Sequence, residues 1–212
     1  MKKIVLWFLP VMFAFFSLYM VTASAETYTE GKDYELVQPP QPTSTSGDKI
    51  EVVELFWYGC PHCYQFEPYV QRWLKKKPAN VEFVRIPGIF RPEWAFLART
   101  YYTEEVLGVT DKIHQSLFEA IHELRRPLNN EDAMADFFAE HGVKKEDFHR
   151  VFRSFAVESK VRRAMDMSHR YGANGVPTMI VNGKYRTSAS QTGSHANTLK
   201  VVDFLIQKES TK

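Results

Sequence analysis

The chain holds only two cysteines among its 212 residues. That is too few for a zinc site built on two cysteine pairs. It also has little net charge. With Lys2 and Lys3 set aside, the 27 basic residues fall level with the 25 acidic ones. Such a balance argues against nucleic acid or a polybasic membrane surface as partner. After residue 25 there is no apolar run long enough to cross a bilayer. From Pro92 to His169 there is neither a cysteine nor a glycine-rich phosphate loop. The five histidines of that block (His114, His122, His141, His149 and His169) show no ligand spacing on a common face. They read as surface or helix-end residues, and no metal or cofactor is expected.

What the chain does contain is a cysteine pair where two patterns meet. Ile50 to Trp57 is rich in β-branched and aromatic residues and reads as a strand. Phe66, Tyr69, Val70, Trp73 and Leu74 recur at helical spacing. Tyr58 and Gly59 turn the chain, and Cys60-Pro61-His62-Cys63 opens the helix. Pro61 suits the first helical position, where a missing N–H costs nothing. Cys60 then falls at the N-cap, with its sulfur near the free N–H groups of His62 and Cys63. The helix dipole and the His62 imidazole both favour a thiolate there. Cys60 is therefore expected to be an exposed nucleophile of low pKa, and Cys63 a buried resolving thiol. Three bland readings compete. A structural bridge across two residues closes too short a loop to stabilise much. A metal site lacks ligands. Inert buried thiols do not account for the strand–helix junction, which is the setting of redox motifs.

On the strand, Val52, Glu54 and Phe56 share one side, and Val53, Leu55 and Trp57 the other. A strand apolar on both faces is central and covered twice. Glu54 is thus a candidate buried acid whose pKa burial would raise. Its functional reading is proton acceptor for Cys63, directly or through water. The alternative is a carboxylate at a strand end or paired with a cation.

Residues 1–25 read as a cleaved export signal: basic Lys2 and Lys3, an apolar Ile4 to Val21, and Ala23-Ser24-Ala25 as the cleavage site. The competing reading is an uncleaved anchor. Tyr34 to Val37 is an edge strand ended by prolines, and Val81 to Ile86 a second strand parallel to the first. Pro92–Leu107, Thr110–Leu124, Asn130–His141 and a broken Lys144–His169 are helices, with Thr110 and Asn130 as N-caps. Asn182-Gly183 signals a type I′ hairpin between Thr178–Val181 and Lys184–Thr187. Ala196–Lys208 closes the chain as an amphipathic helix. The expected architecture is α/β, a mixed sheet in residues 26–89 and 170–212 interrupted by an all-helical subdomain in 90–169.

Cys60-Pro61-His62-Cys63-Tyr64-Gln65-Phe66-Glu67, Gly175-Val176-Pro177 and Val181-Asn182-Gly183-Lys184-Tyr185 together resemble the DsbA-type thiol:disulfide interchange proteins of the bacterial periplasm. The Tyr28-x-x-Gly31-Lys32-x-Tyr34 arm also fits. The resemblance implies a thioredoxin-like fold with a helical insertion, and assigns Cys60 as nucleophile and Cys63 as resolving cysteine. It implies that Pro61-His62 makes the disulfide strongly oxidising, by stabilising the thiolate of the reduced form. Val176-Pro177 resembles a cis-proline loop that faces the disulfide and pairs with extended substrate. Glu54 matches the family's buried acid, whereas Arg85 is only a loose counterpart of its basic residue. The implied partners are newly exported, unfolded proteins with thiols, and a membrane quinone-linked oxidase of the DsbB type that reoxidises a monomeric protein. A periplasmic reductase or isomerase, and a non-catalytic chaperone-like peptide-binding module, are the competing functions.

Overall fold

The computed structural model describes residues 27–46 and 49–211, so the expected export signal lies outside the described residues. Five strands form one mixed sheet: β1 (Glu35–Leu36), β2 (Ile50–Phe56), β3 (Val81–Pro87), β4 (Thr178–Val181) and β5 (Tyr185–Thr187). Their order is β1-β5-β4-β2-β3; β2 and β3 are parallel, and the other neighbours antiparallel. Every residue of β2 is buried, which its two-sided apolar pattern required. The helix that follows, α1 (Pro61–Leu74), supplies the crossover to β3.

Each face of the sheet has its own cover. Val52, Met179 and Val181 pack with Phe66 and Val70 of α1 and with Leu199, Val202 and Leu205 of the C-terminal helix. Val53, Leu55 and Ile180 point the other way, onto Met167 and Tyr171. Between β3 and β4 the chain makes a 3₁₀ turn (Pro92–Trp94) and five helices. These are α2 (Ala95–Leu107), α3 (Thr110–His122), α4 (Glu131–Glu140), α5 (Lys145–Phe152) and α6 (Phe155–Arg170). Their aromatic interior runs without a break onto Phe56, Tyr58, Cys60 and Cys63. The cysteines thus lie where the helices meet the end of the central strand.

Asn130 caps α4 as expected, its side chain accepting from the Ala133 N–H. Thr110 does not cap α3. It is the first helical residue, and Val109 occupies the cap without a side-chain bond, because Gly108 closes α2 in the left-handed region just upstream. The break between α5 and α6 falls at Arg153-Ser154, where Ser154 caps α6 through the Val157 N–H. Asn182 and Gly183 both have positive φ, 51° and 64°, as a type I′ turn demands. Gly183 is also held to glycine by close approach: a Cβ there would run into the Gln41 carbonyl. A short helix, α7 (Ala189–Thr192), precedes α8 (His195–Ser210) and has no counterpart in the sequence pattern. Among the described residues no helix is long and apolar enough to cross a membrane.

Candidate active site

Cys60 is the N-cap of α1, with extended backbone (φ −93°, ψ 115°) and Pro61 at the first turn. Its side chain forms no capping bond to the first turn, whose N–H groups face the sulfur. Both cysteines are free thiols in this structure. The Cys60 thiol is lowered to about 6. The hydrogen bond from Cys63 contributes most, burial opposes it, and the backbone N–H groups of Cys63 and His62 and the charge of His62 add to the lowering. Cys63 goes the other way. Burial pushes it well above the ordinary thiol range, and its bond to Cys60 and the charges of Cys60 and Glu54 push further. One turn of helix thus separates two thiols of opposite character. Cys60 is not the exposed side chain expected, however: it is 9% exposed, against 1% for Cys63.

The cover over Cys60 comes from the other half of the chain. Its S–H donates to the Val176 carbonyl at 3.6 Å, and the Val176–Pro177 bond is cis. Thr178 Oγ1 donates to Gly175 O at 2.8 Å, tying the loop to the start of β4. Gly88, just past β3, makes room for this loop, since a Cβ there would lie 2.7 Å from Val176 Cγ1. Beside the thiol runs an open groove of about 540 Å³, lined by His62, Tyr69, Val176, Pro177, Ser190 and His195 among others. The placement of Val176 and Pro177 beside Cys60 was beyond the reach of spacing in the sequence.

Below Cys63 lies a charged cluster the sequence reading saw only in part. Glu54 is 1% exposed and stands directly opposite Arg85 in the parallel β2–β3 register. Arg85 Nε donates to Glu54 at 3.1 Å, and its Nη2 donates to Glu67 of α1 at 2.8 Å. Arg85, treated above as a loose counterpart, is therefore the cation shared by two buried acids. Burial raises Glu54 to about 7; Arg85 opposes this and the Glu67 charge adds to it. Glu67 is also buried, but His114, Arg85 and Gln71 outweigh burial and hold it at about 2. Glu67 sits four residues after Cys63, on the same helix face. A carboxylate interrupting that apolar stripe was the available signal. His114 overturns its reading as a surface residue: it is 5% exposed, inside the aromatic cluster of Phe56, Tyr58, Tyr101 and Phe118. Among the described residues no group of three or more His, Cys, Asp or Glu side chains is arranged to hold a metal.

The model of the DSBA-like thioredoxin domain family matches residues 93–199. The chain is 46% identical over 201 residues to the thiol:disulfide interchange protein DsbA of Pseudomonas aeruginosa, covering 95% of each. It is 45% identical to the protein of that name from Pseudomonas syringae pv. tomato, over 90% of this chain and 88% of the other. The crystal structure of Pseudomonas aeruginosa DsbA superposes with a TM-score of 0.82 at 46% identity, covering 87% of this chain and 95% of that one. The oxidoreductase DsbA from Xylella fastidiosa gives 0.81 at 34% identity, over 86% and 97%.

Proposed function

The chain belongs to the DsbA-like thioredoxin family, and we propose that it donates a Cys60–Cys63 disulfide to newly exported, unfolded proteins. It is a thiol:disulfide oxidoreductase with a thioredoxin-like fold. The observation that carries the direction of transfer is the pairing of a Cys60 thiol lowered to about 6 with a Cys63 thiol raised well above its ordinary value. A cysteine stable as a thiolate is a good leaving group and a stable product of reduction.

A substrate thiolate attacks the Cys60 sulfur of the oxidised pair, forming a mixed disulfide and releasing Cys63. The high pKa of Cys63 makes it take a proton, and Glu54, at about 7, is the group suited to supply it. A second substrate thiolate attacks the substrate sulfur of the mixed disulfide, and Cys60 departs as thiolate. Two electrons pass from the substrate dithiol to the cysteine pair. Reoxidation runs the proton backward, from Cys63 to Glu54, and is assigned to a membrane quinone-linked oxidase of the DsbB type. Pro61 and His62 set the first turn against the Cys60 sulfur, and the Val176-Pro177 loop receives extended substrate. Export by a cleaved signal in residues 1–25, action in the periplasm as a monomer, and a division into a 26–89 plus 170–212 unit and a 90–169 helical unit complete the proposal.

The test is a single turnover. Oxidised protein is mixed with an equal amount of a reduced, unfolded polypeptide bearing two thiols, then quenched with an alkylating reagent and weighed. The expected result is alkylated Cys60 and Cys63, a bridged substrate, and a transient adduct linked through Cys60 alone. A pair that stays oxidised while the substrate stays reduced would overturn the proposal.

A further inference from the structure

The charged cluster beneath Cys63 continues into the helices. Tyr58, in the turn before α1, has its hydroxyl 2.8 Å from Glu104 Oε2 of α2 and 2.7 Å from His114 Nδ1 of α3. The other ring nitrogen, His114 Nε2, lies 3.4 Å from Glu67 Oε2, an ion-pair distance without a formed hydrogen bond. Glu104 Oε1 is likewise buried without one. Glu67 and Glu54 share Arg85. The connected path runs Glu104–Tyr58–His114–Glu67–Arg85–Glu54, through α2, the β2–α1 turn, α3, α1, β3 and β2. Glu104 is 0% exposed, and Tyr58, Glu67 and Glu54 are each 1% exposed. Tyr101 of α2 also faces the group, and Cys63 lies at its Glu54 end.

Charge counting restricts how protons are distributed. Three ionised carboxylates against one guanidinium would leave two uncompensated buried charges, an arrangement of prohibitive cost. Two protons must therefore be held within the cluster. The Tyr58 hydroxyl has one proton and two neighbours, so the path has a direction. If Tyr58 donated to Glu104, a neutral His114 would have to donate from Nδ1, and the bare Nε2 lone pair would face the Glu67 oxygen. If Glu104 holds a proton, it donates to Tyr58, Tyr58 donates to His114 Nδ1, and the N–H falls on Nε2, facing Glu67. The second proton is then on Glu54, and the cluster is neutral. Burial pushes Glu104 up and His114 down, which agrees with this order.

We propose that Glu104, Tyr58 and His114 form a proton-holding arm of the thiol site: protonated Glu104, acting through Tyr58, fixes the His114 proton on Nε2, the nitrogen 3.4 Å from Glu67, which keeps Glu67 ionised and leaves Glu54 as the carboxyl that exchanges a proton with Cys63. His114 is thus a positioning residue, acting through Glu67 on the acid whose charge acts on Cys63. The inference rests on the reading of Glu54 as the proton partner of Cys63.

The test is a carboxyl titration by ¹³C NMR of the side-chain carbons of Glu54, Glu67 and Glu104, made on the full oxidised protein so that no thiol titrates. In the unsubstituted protein, Glu54 should titrate near neutrality, with Glu67 already ionised and Glu104 still protonated. In His114→Phe, Glu67 loses the N–H beside it and takes up part of the proton. Its midpoint should rise by about one pH unit or more, and that of Glu54 should fall. In Glu104→Gln, the amide N–H replaces the carboxyl proton as donor to Tyr58, and both midpoints should stay where they are. An ionised Glu104 at pH 7 in the unsubstituted protein would overturn the proposal, whether or not His114→Phe folds. So would unmoved midpoints in folded His114→Phe, or shifted ones in Glu104→Gln. Disulfide donation is scored separately in the turnover assay above, so a failed network leaves that reading standing and a failed donation is seen independently of the carboxyls.

Discussion

Cys60→Ser is expected to reduce disulfide donation to a reduced, unfolded substrate to the uncatalysed background. Serine offers no sulfur to carry the bridge, and its hydroxyl cannot replace the thiolate that departs at the end of the cycle. The loss should be purely chemical, because position 60 is a helix N-cap and serine is among the preferred residues there. Its oxygen can accept from the first-turn N–H groups that now face the Cys60 sulfur. Thermal unfolding of the variant should therefore match or exceed that of the reduced parent, by up to about 1 kcal/mol. Donation persisting in a folded Cys60→Ser protein would contradict the assignment of Cys60. Suppression of aggregation by that variant, without donation, would mark binding of unfolded chains as a capacity separate from the thiol chemistry.

Arg85→Met is expected to have the largest effect on stability, about 3–5 kcal/mol, the usual result of removing one partner from a buried charge group. Arg85 has a side chain 12% exposed and serves two acids that are each 1% exposed. Methionine would fill much of the volume, so the loss is electrostatic. It should also depend on pH, with a sign set by the carboxyls. In the parent, Glu67 is held at about 2, below its unfolded value, so its contribution is full above that unfolded value and is lost as pH falls through about 2. Without Arg85, burial dominates and both acids rise. A raised acid contributes stability below its unfolded pKa near 4.3 and loses it as pH increases. The deficit of Arg85→Met, measured by denaturant unfolding, should therefore be larger at pH 7 than at pH 5. A deficit under about 1 kcal/mol that is flat with pH would mean that the two acids do not depend on Arg85.

Features written into local pattern were readable in advance. The doubly apolar run of β2, the Cys60–Cys63 pair at a strand–helix junction, the Asn182-Gly183 turn and the Asn130 cap each depend on a few adjacent residues. The features that escaped depend on partners distant along the chain. Val176 lies 116 residues from Cys60, and only the antiparallel pairing of β4 with β2 brings them together. Arg85 gained its meaning from the β2–β3 register, which sets it opposite Glu54. His114 was misread although a signal existed, since it sits on the stripe of α3 that carries Ile113, Leu117 and Phe118. A histidine on an apolar stripe is a buried histidine with a partner to find, and here the partners are Tyr58 and Glu67. The exposure of Cys60 was overestimated for the same reason, its cover being a loop from the far end of the chain.

The most direct test of the account is the redox equilibrium of the protein against glutathione, measured as a function of pH. A Cys60 thiol lowered to about 6 is a thiolate at pH 7, where ordinary thiols near 8.5 are protonated. Its stabilisation of the reduced protein is fully present above the ordinary thiol value and is lost as pH falls through about 6. At pH 7 only the interval from about 6 to 7 counts. That makes the reduced form about tenfold more favoured, about 1.4 kcal/mol or about 30 mV. The account predicts a preference for the reduced protein that grows about tenfold per pH unit from about 6 to about 8.5. A protein that equilibrates to the oxidised form, with no such slope, would show that the thiolate is not specially stabilised and would contradict the assignment as a disulfide donor.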